Sequence, residues 1–359
     1  FSNANVGTGK TVNITSSYSG SDVNNYNVTD QSSTTADISA KALTATASTA
    51  NKTYDGATTA TTTLTFSGLV GSETLGQTVG STFNNKNVGS NKTVTVNSIT
   101  LSDGSGLAAN YSISAGQTTT ANITAKSLTV SGITASNKTY DGSTNATLDA
   151  SLVAYSGLVD GDTFEGTYTG VFSDKNVGTG KTVTITPSYS GADVSNYSVT
   201  DQSSTTANIT AKSLTVSGIT ASDKIYDGST SATLTGTAVY SGLVSGDIFT
   251  GSYTGAFSDK NVGTGKTVNI TPSYSGADVN NYSVTDQSST TANITTKALT
   301  ATASASNKTY DGGTTASTTL TFTGLVGSET LGQTVGSTFD NKNAGTGKTV
   351  TVNSITLAD

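Results

Sequence analysis

The sequence predicts an all-β chain of tandem small β-sandwich domains, immunoglobulin-like and strung into an extended rod. Three observations carry this. A signature, Asn51-Lys52-Thr53-Tyr54-Asp55-Gly56, returns at 137 to 142, 223 to 228 and 307 to 312, with its tyrosines 86, 86 and 84 residues apart. That period is too long for solenoid coils, which repeat every 20 to 50 residues or so, and long enough to close a small core. Between the signatures, β-branched residues alternate with Thr, as in Thr93-Val94-Thr95-Val96, Thr182-Val183-Thr184-Ile185 and Thr267-Val268-Asn269-Ile270. A period of two built from such residues is the pattern of a half-buried strand.

Turns separate these runs. Tyr-Asp-Gly, Gly-Asp, Asn-Val-Gly and Gly-Ala-Asp place a residue that tolerates positive φ beside one that bonds its own backbone. Helical signals are missing: there are three Glu residues, Glu73, Glu165 and Glu329, and no stripe of period 3.6. Five to seven short strands per unit give a sandwich. A β-grasp-like repeat with one helical turn near Leu69 to Leu75 is the alternative.

Further landmarks fix the repeat frame. Phe83 to Gly89 reads Phe-Asn-Asn-Lys-Asn-Val-Gly and recurs at 172 to 178, 257 to 263 and 339 to 345, and the chain opens on the same motif at 1 to 7. Asn-Tyr recurs at 25, 110, 196 and 281, and Ala-Asn-Ile-Thr closes units at 121 to 124, 207 to 210 and 292 to 295. The frame is therefore 1–40, the C-terminal part of a repeat; 41–125, 126–211 and 212–296, three complete repeats; and 297–359, the N-terminal part of another. A longer natural protein is expected.

Two subtypes share this frame. Leu69 to Gln77 returns at 325 to 333 and marks type A, whereas 126–211 and 212–296 carry Gly-Asp-Thr-Phe or Gly-Asp-Ile-Phe and form type B. The order B, A, B, B, A is that of a chain lengthened by duplication, a mark of spacers. Only Thr210-Ala211-Lys212-Ser213 separates Ile209 from Leu214, so strand direction is expected to carry across repeat boundaries. The expected core of 126–211 is Leu128, Val130, Ile133, Tyr140, Leu148, Leu158, Phe164, Tyr168, Phe172, Val183, Ile185, Tyr189, Tyr197, Val199 and Ile209.

Composition argues by omission. The chain has no Cys, His, Met or Trp, and its 17 basic residues are all Lys. The usual zinc ligands, cysteine nucleophile and histidine base are thereby missing, as is the arginine fork that grips phosphate. Net charge is -7 and the pI about 4.5, against nucleic acid as a partner. With no apolar run of membrane-spanning length, no span is expected in this segment. A chain rich in Ser, Thr, Asn and Gly without oxidisable Met or Cys fits an extracellular setting.

Candidate sites each meet a plainer reading. Tyr54, Asp55 and Gly56, Tyr140, Asp141 and Gly142, Tyr226, Asp227 and Gly228, and Tyr310, Asp311 and Gly312 are expected to be structural, each tyrosine packing beneath a turn closed by Asp and Gly. Lys86, Lys175, Lys260 and Lys342 recur in one setting, but the opening segment has Ala4 there, which favours a solvated turn lysine over a catalytic one. Asp160, Asp162 and Asp193 are the calcium candidates. They lack the carboxylate density of a dedicated cage, so Asp-capped turns are favoured and no cofactor is expected. A Lys126–Asn208 isopeptide bond needs a positioned acid, and Glu165 has only Ser252 as its counterpart in the next repeat. Asn51, Asn122, Asn137, Asn208, Asn293 and Asn307 lie in glycosylation sequons. Thr-x-Thr arrays suggest an ice-binding face, which a twisted 85-residue sandwich repeat does not present flat.

Asn137 to Thr144 following Leu128-Thr129-Val130, with Phe172 to Gly178 and Asn196-Tyr197-Ser198-Val199, resembles the YDG-type repeats of large bacterial surface proteins. Such repeats occur in filamentous-haemagglutinin-like adhesins exported by two-partner secretion or related routes. The resemblance covers essentially the whole chain. It implies a stalk or filament segment on the cell surface or in a secreted matrix, whose partners are neighbouring repeats, like filaments, or host and cell-surface glycans. The inventory of side chains holds no constellation of nucleophile, base and orienter, so no enzyme activity is expected.

Overall fold

The computed structural model describes residues 1–358, and among them every regular element is a β-strand or a three-residue 3-10 turn. The described residues fall into two units. One comprises Phe1–Ser136, Asn145–Phe172 and Thr182–Thr206; the other comprises Asn137–Thr144, Ser173–Lys181 and the chain from Ala207 onward.

In the first unit, residues 41–125 form two facing layers. The larger is a five-stranded sheet in the order Lys52–Thr53, Thr118–Thr124, Gly89–Asp103, Leu75–Phe83, Thr59–Ala60. The smaller pairs Thr44–Thr49 antiparallel with Thr62–Ser67. The alternation read from the sequence decides which face turns inward: Val94 and Val96 are buried with Phe83, Ala121 and Ile123, while the intervening Thr residues are not. From the opposite layer come Leu43 and Leu64. The same unit holds the three-stranded sheet of the next repeat, in which Lys126–Ser131 lies between Ala154–Ser156 and Tyr197–Thr200. It also holds the ladder from Glu165↔Ser190 to Phe172↔Val183. Gly7–Asn13 pairs antiparallel with Ser33–Ile38 near the start of the chain.

In the second unit, residues 212–296 repeat the two-layer plan. Lys212–Ala221 sits between Leu234–Ser241 and Tyr282–Thr285, facing a five-stranded sheet in the order Lys224–Ile225, Ser289–Thr295, Gly263–Ser275, Thr250–Phe257, Ser231–Ala232. Val216 and Ile219 from one layer meet Ile270 from the other in one buried cluster, and Leu214 and the loop residue Phe249 are buried as well. Residues beyond 296 contribute the antiparallel pairs Thr300–Ala305 with Thr318–Thr323 and Gly332–Phe339 with Val350–Ala358.

Two features refine the expected sandwich and bear on its β-grasp-like alternative. First, some pairs run parallel: Lys126 to Thr129 with Tyr197 to Thr200, Lys212 to Thr215 with Tyr282 to Thr285, and the short Lys52–Thr53 with Ile123–Thr124. The sandwiches are therefore mixed rather than purely antiparallel. Second, Leu69 to Leu75 holds no helical turn; the Glu73 amide donates to the Val70 carbonyl at 3.1 Å, closing a β-turn. The 3-10 turns lie instead just before Asn-Tyr tyrosines, at Val23–Asn25, Ala108–Asn110, Val194–Asn196 and Val279–Asn281.

Of the core expected for 126–211, Leu128, Val130, Ile133, Tyr140, Phe164, Phe172, Val183, Ile185, Tyr197 and Ile209 are buried. Leu148, Leu158, Tyr168, Tyr189 and Val199 are half-buried at the rim. There the tyrosine hydroxyls find polar partners: Tyr155 with Tyr168 at 3.1 Å and Tyr189 with Asp201 at 2.5 Å. Leu214 is completely inaccessible at the centre of its layer. Leu214→Ala should destabilise the 212–296 repeat by about 2–5 kcal/mol, read from accelerated hydrogen exchange in that repeat's strand amides.

Candidate interface sites at the repeat junctions

Each letter of the Asn-Lys-Thr-Tyr-Asp-Gly signature but the Thr has a distinct task. Asn51 Oδ1 accepts from the Asn122 amide at 2.7 Å, which fastens the signature to the closing strand; Asn137 does the same for Asn208, and Asp223 for Asn293. Lys52 Nζ reaches Asp55 at 2.7 Å and the carbonyls of Ala57 and Thr59, its ammonium 5.7 Å from the centre of the Phe83 ring. The Asp55 carboxylate also accepts from the Ala57 amide at 2.9 Å, the Asp-capped turn expected from the sequence. Equivalent Lys–Asp pairs occur at 138 and 141, 224 and 227, and 308 and 311.

The tyrosine does something else. Tyr54 is buried, but its hydroxyl donates to Asp162 of the following repeat at 2.8 Å from Oδ2. Tyr197 donates to the same oxygen at 2.5 Å, and the two rings meet edge to face with centroids 5.6 Å apart. Lys86 Nζ lies 2.8 Å from Asp162 and 2.9 Å from Asp193. Beside it the Val88 amide donates to Asn196 Oδ1 at 2.9 Å, and the Val159 amide to the Tyr197 hydroxyl at 2.9 Å. Apolar packing closes the junction, because Tyr54, Leu128 and Tyr197 belong to one buried cluster with Val88 and Val159 against it. Gly56, at φ 78°, lies where a Cβ would come within 2.8 Å of Val159, so both backbone and space require glycine there.

The second unit contains the same constellation between 126–211 and 212–296. Asp247 accepts from Tyr140 at 2.8 Å and from Tyr282 at 2.6 Å; Lys175 lies 3.1 Å from Asp247 and 2.9 Å from Asp278; the Val177 amide donates to Asn281 Oδ1 at 2.9 Å. Where a type-A repeat follows, glutamate replaces the aspartate, and Tyr226 donates to Glu329.

These positions revise several sequence expectations. Tyr54 and Tyr140 pack against the next repeat's acid rather than simply beneath their own turns, Tyr226 is half-buried, and Tyr310 is 62% exposed. Lys86 and Lys175 are ion-paired connectors rather than solvated turn lysines. Of the calcium candidates, Asp160 is exposed, while Asp162 and Asp193 share the ammonium of Lys86. Among the described residues no group of three or more acidic side chains gathers as a metal site. Asn208 Oδ1 accepts from the Gly180 amide and Glu165 is exposed, so neither is arranged for an isopeptide bond. Among the described residues no helix is long and apolar enough to cross a membrane. The sequence offered one signal for the junction: the landmarks recur together, but their partners lie more than 100 residues apart.

The electrostatics follow from the geometry. Burial pushes the Asp162 carboxyl up, but Lys86, Tyr197 and Tyr54 outweigh it and hold the group below 3.8. Asp193 is lowered by the Thr163 amide and then by Lys86. Lys86 is raised above 10.5 by Asp162, Asp193 and Tyr54, and Tyr54 above 10.0 by burial and then by Asp162. Depressed carboxyls contribute stability above their unfolded value that is lost as pH falls through the folded one; a raised lysine contributes below 10.5 and is lost only at higher pH. Melting temperature should therefore hold through neutral pH and fall below about pH 4, and Asp162→Asn should start lower and fall less. Tyr54→Phe should cost about 1.5–3 kcal/mol in urea unfolding, whereas Tyr310→Phe at the exposed position should cost nothing measurable.

No curated protein and no solved structure matches the chain. The family model for the YDG domain matches residues 39–121, 124–207, 210–292 and 295–359. With four matches spanning nearly all of its length, the chain belongs to the YDG domain family.

Proposed function

We propose that the chain is a spacer, a stalk or filament segment of an extracellular bacterial adhesin that projects a binding tip or links cells. The observation that carries this reading is the reuse of one docking constellation. Each complete type-B repeat presents Tyr and Lys at one junction and an Asp with its Asn-Tyr turn at the other. Head-to-tail contacts of this kind accept one further copy after another, and on the spacer reading length then grows with repeat number. The inventory of side chains supports the same reading, since the chain has no His or Cys to serve as base or nucleophile. Placement outside the cell is supported by the lack of Cys and Met and by the resemblance to surface-protein repeats.

Removing residues 126–211 from the chain should shorten the maximum dimension measured by small-angle scattering by one repeat length. Restoring them, or adding a second copy, should lengthen it by equal steps. A compact particle whose dimension is insensitive to repeat number would refute the spacer reading.

A further inference from the structure

In each complete repeat the opening stretch and the closing stretch run side by side in the same direction, and they meet twice. Where the chain enters, Lys41 and Ala42 lie parallel to Tyr111 and Ser112, Lys126 to Thr129 parallel to Tyr197 to Thr200, and Lys212 to Thr215 parallel to Tyr282 to Thr285. Where it leaves, the signature lies parallel to the closing Ala-Asn-Ile-Thr. Lys52 and Thr53 pair with Ile123 and Thr124, Lys138 and Thr139 with Ile209 and Thr210, and Lys224 and Ile225 with Ile294 and Thr295. A single residue then leads from Thr124, Thr210 or Thr295 to the next repeat's first lysine.

Two residues make a short ladder, and further bonds extend it at both ends. Ahead of it, the amides of Asn122, Asn208 and Asn293 donate to the side-chain oxygens of Asn51, Asn137 and Asp223 at 2.7 Å, and Asn293 Nδ2 adds a bond to Asp223 Oδ2 at 2.9 Å. Behind it, the amides of Tyr54, Tyr140 and Tyr226 donate to the carbonyls of Thr124, Thr210 and Thr295 at 2.8, 2.8 and 2.9 Å. The hydroxyls of those threonines donate in turn to the carbonyls of Lys52, Lys138 and Lys224 at 3.3 Å. All of these bonds are made within one repeat, and all three complete repeats have them.

The direction of the two stretches decides how they bear load. Pulling a repeat by its ends draws the opening stretch backward along its own axis and the closing stretch forward along its axis. Because the two are parallel, the forces oppose one another along the ladders, and the evenly spaced bonds of a ladder are strained together, in shear. Strands drawn apart sideways would instead part bond by bond. Resistance to forced unfolding depends on the rate of crossing the barrier rather than on equilibrium stability, so shared loading strengthens a repeat without a larger core.

We propose that the signature and the closing Asn-Ile-Thr form a tension clamp at the exit of each repeat, with the parallel ladder at the entrance as its counterpart, and that the repeats are built to carry load along the chain. The inference rests on the spacer reading for its purpose, because a stalk between a bound tip and a cell, or between two cells, is pulled at both ends. It also gives the signature asparagine and the closing threonine a task of their own, apart from the tyrosine's contact with the next repeat.

The test uses the full chain, which has no cysteine and so accepts introduced pairs as attachment points for single-molecule pulling. Handles at Ala211→Cys and Thr296→Cys load the 212–296 repeat from its entrance and exit, whereas handles at Thr215→Cys and Thr285→Cys draw the entrance ladder apart sideways; all four positions are exposed. The first pair should give a rupture force severalfold higher than the second. Asp223→Ala with Thr295→Val, which removes side-chain bonds at both ends of the exit ladder, should lower the end-pulled force and leave the sideways force in place. The comparison of directions needs neither of these substitutions, so it decides the matter even if that variant fails to fold. Equal forces in the two directions, or a variant that lowers both alike, would overturn the clamp. Neither outcome touches the growth of particle length with repeat number, and a compact particle would sink the spacer reading while leaving the direction dependence as it is.

Discussion

A carboxylate kept almost dry at the boundary between two repeats is the constraint on which the architecture turns. The Asp162 side chain is 2% exposed, and an ion so placed is tolerated only with paired charge and satisfied lone pairs. Its own repeat supplies one donor, the Tyr197 hydroxyl. The preceding repeat supplies the Tyr54 hydroxyl and the Lys86 ammonium. Removing that neighbour would leave the carboxylate with one donor and open the Tyr54–Tyr197 contact. The folding energy of a repeat therefore includes a nearest-neighbour contribution from the repeat before it, as in other linear arrays. Domains that look separable by their period are coupled by their chemistry.

That coupling explains why the junction is polar. An apolar plug would bury area without fixing angle, since hydrophobic contact has no direction. Two hydroxyls and an ammonium converging on two oxygens admit few arrangements, and the Val88 amide bonded to Asn196 limits them further. A polar surface also stays soluble when it has no partner, as on a repeat whose neighbour is not yet folded. Buried ion pairs offer little net stability against apolar substitutes of the same volume; at this boundary what they specify is register.

The strands and the core could be read directly from the sequence because they depend on local alternation. Val94 and Val96, or Leu128 and Val130, face inward for the same reason that Thr93 and Thr129 face outward, a period of two on one pleated surface. The short parallel strand Lys52–Thr53 escaped that reading, since two residues hold no period. The junction escaped it for a different reason. Tyr54 and Asp162 are 108 residues apart, and each motif alone fits a plainer role, the tyrosine as packing and the Gly-Asp as a turn. Lys86 looked solvated because a turn lysine usually is, and only the folded arrangement places two acids around it.

The Tyr-Asp-Gly signature acquires its logic from this arrangement. Its lysine and aspartate serve the turn itself, through the Lys52–Asp55 pair and the Ala57 amide. The turn holds Tyr54 at the end of the repeat, with the hydroxyl projecting to the next one. Glycine then follows because the backbone must pass Val159 of that neighbour at positive φ and leave no room for a side chain. A motif that served only a local turn would need the aspartate and the glycine, as Gly312 shows at φ 78° with open space beside it, and would tolerate other residues in place of the tyrosine. The tyrosine is required by the neighbour and Gly56 by both the turn and the neighbour, so the signature records a junction as well as a turn.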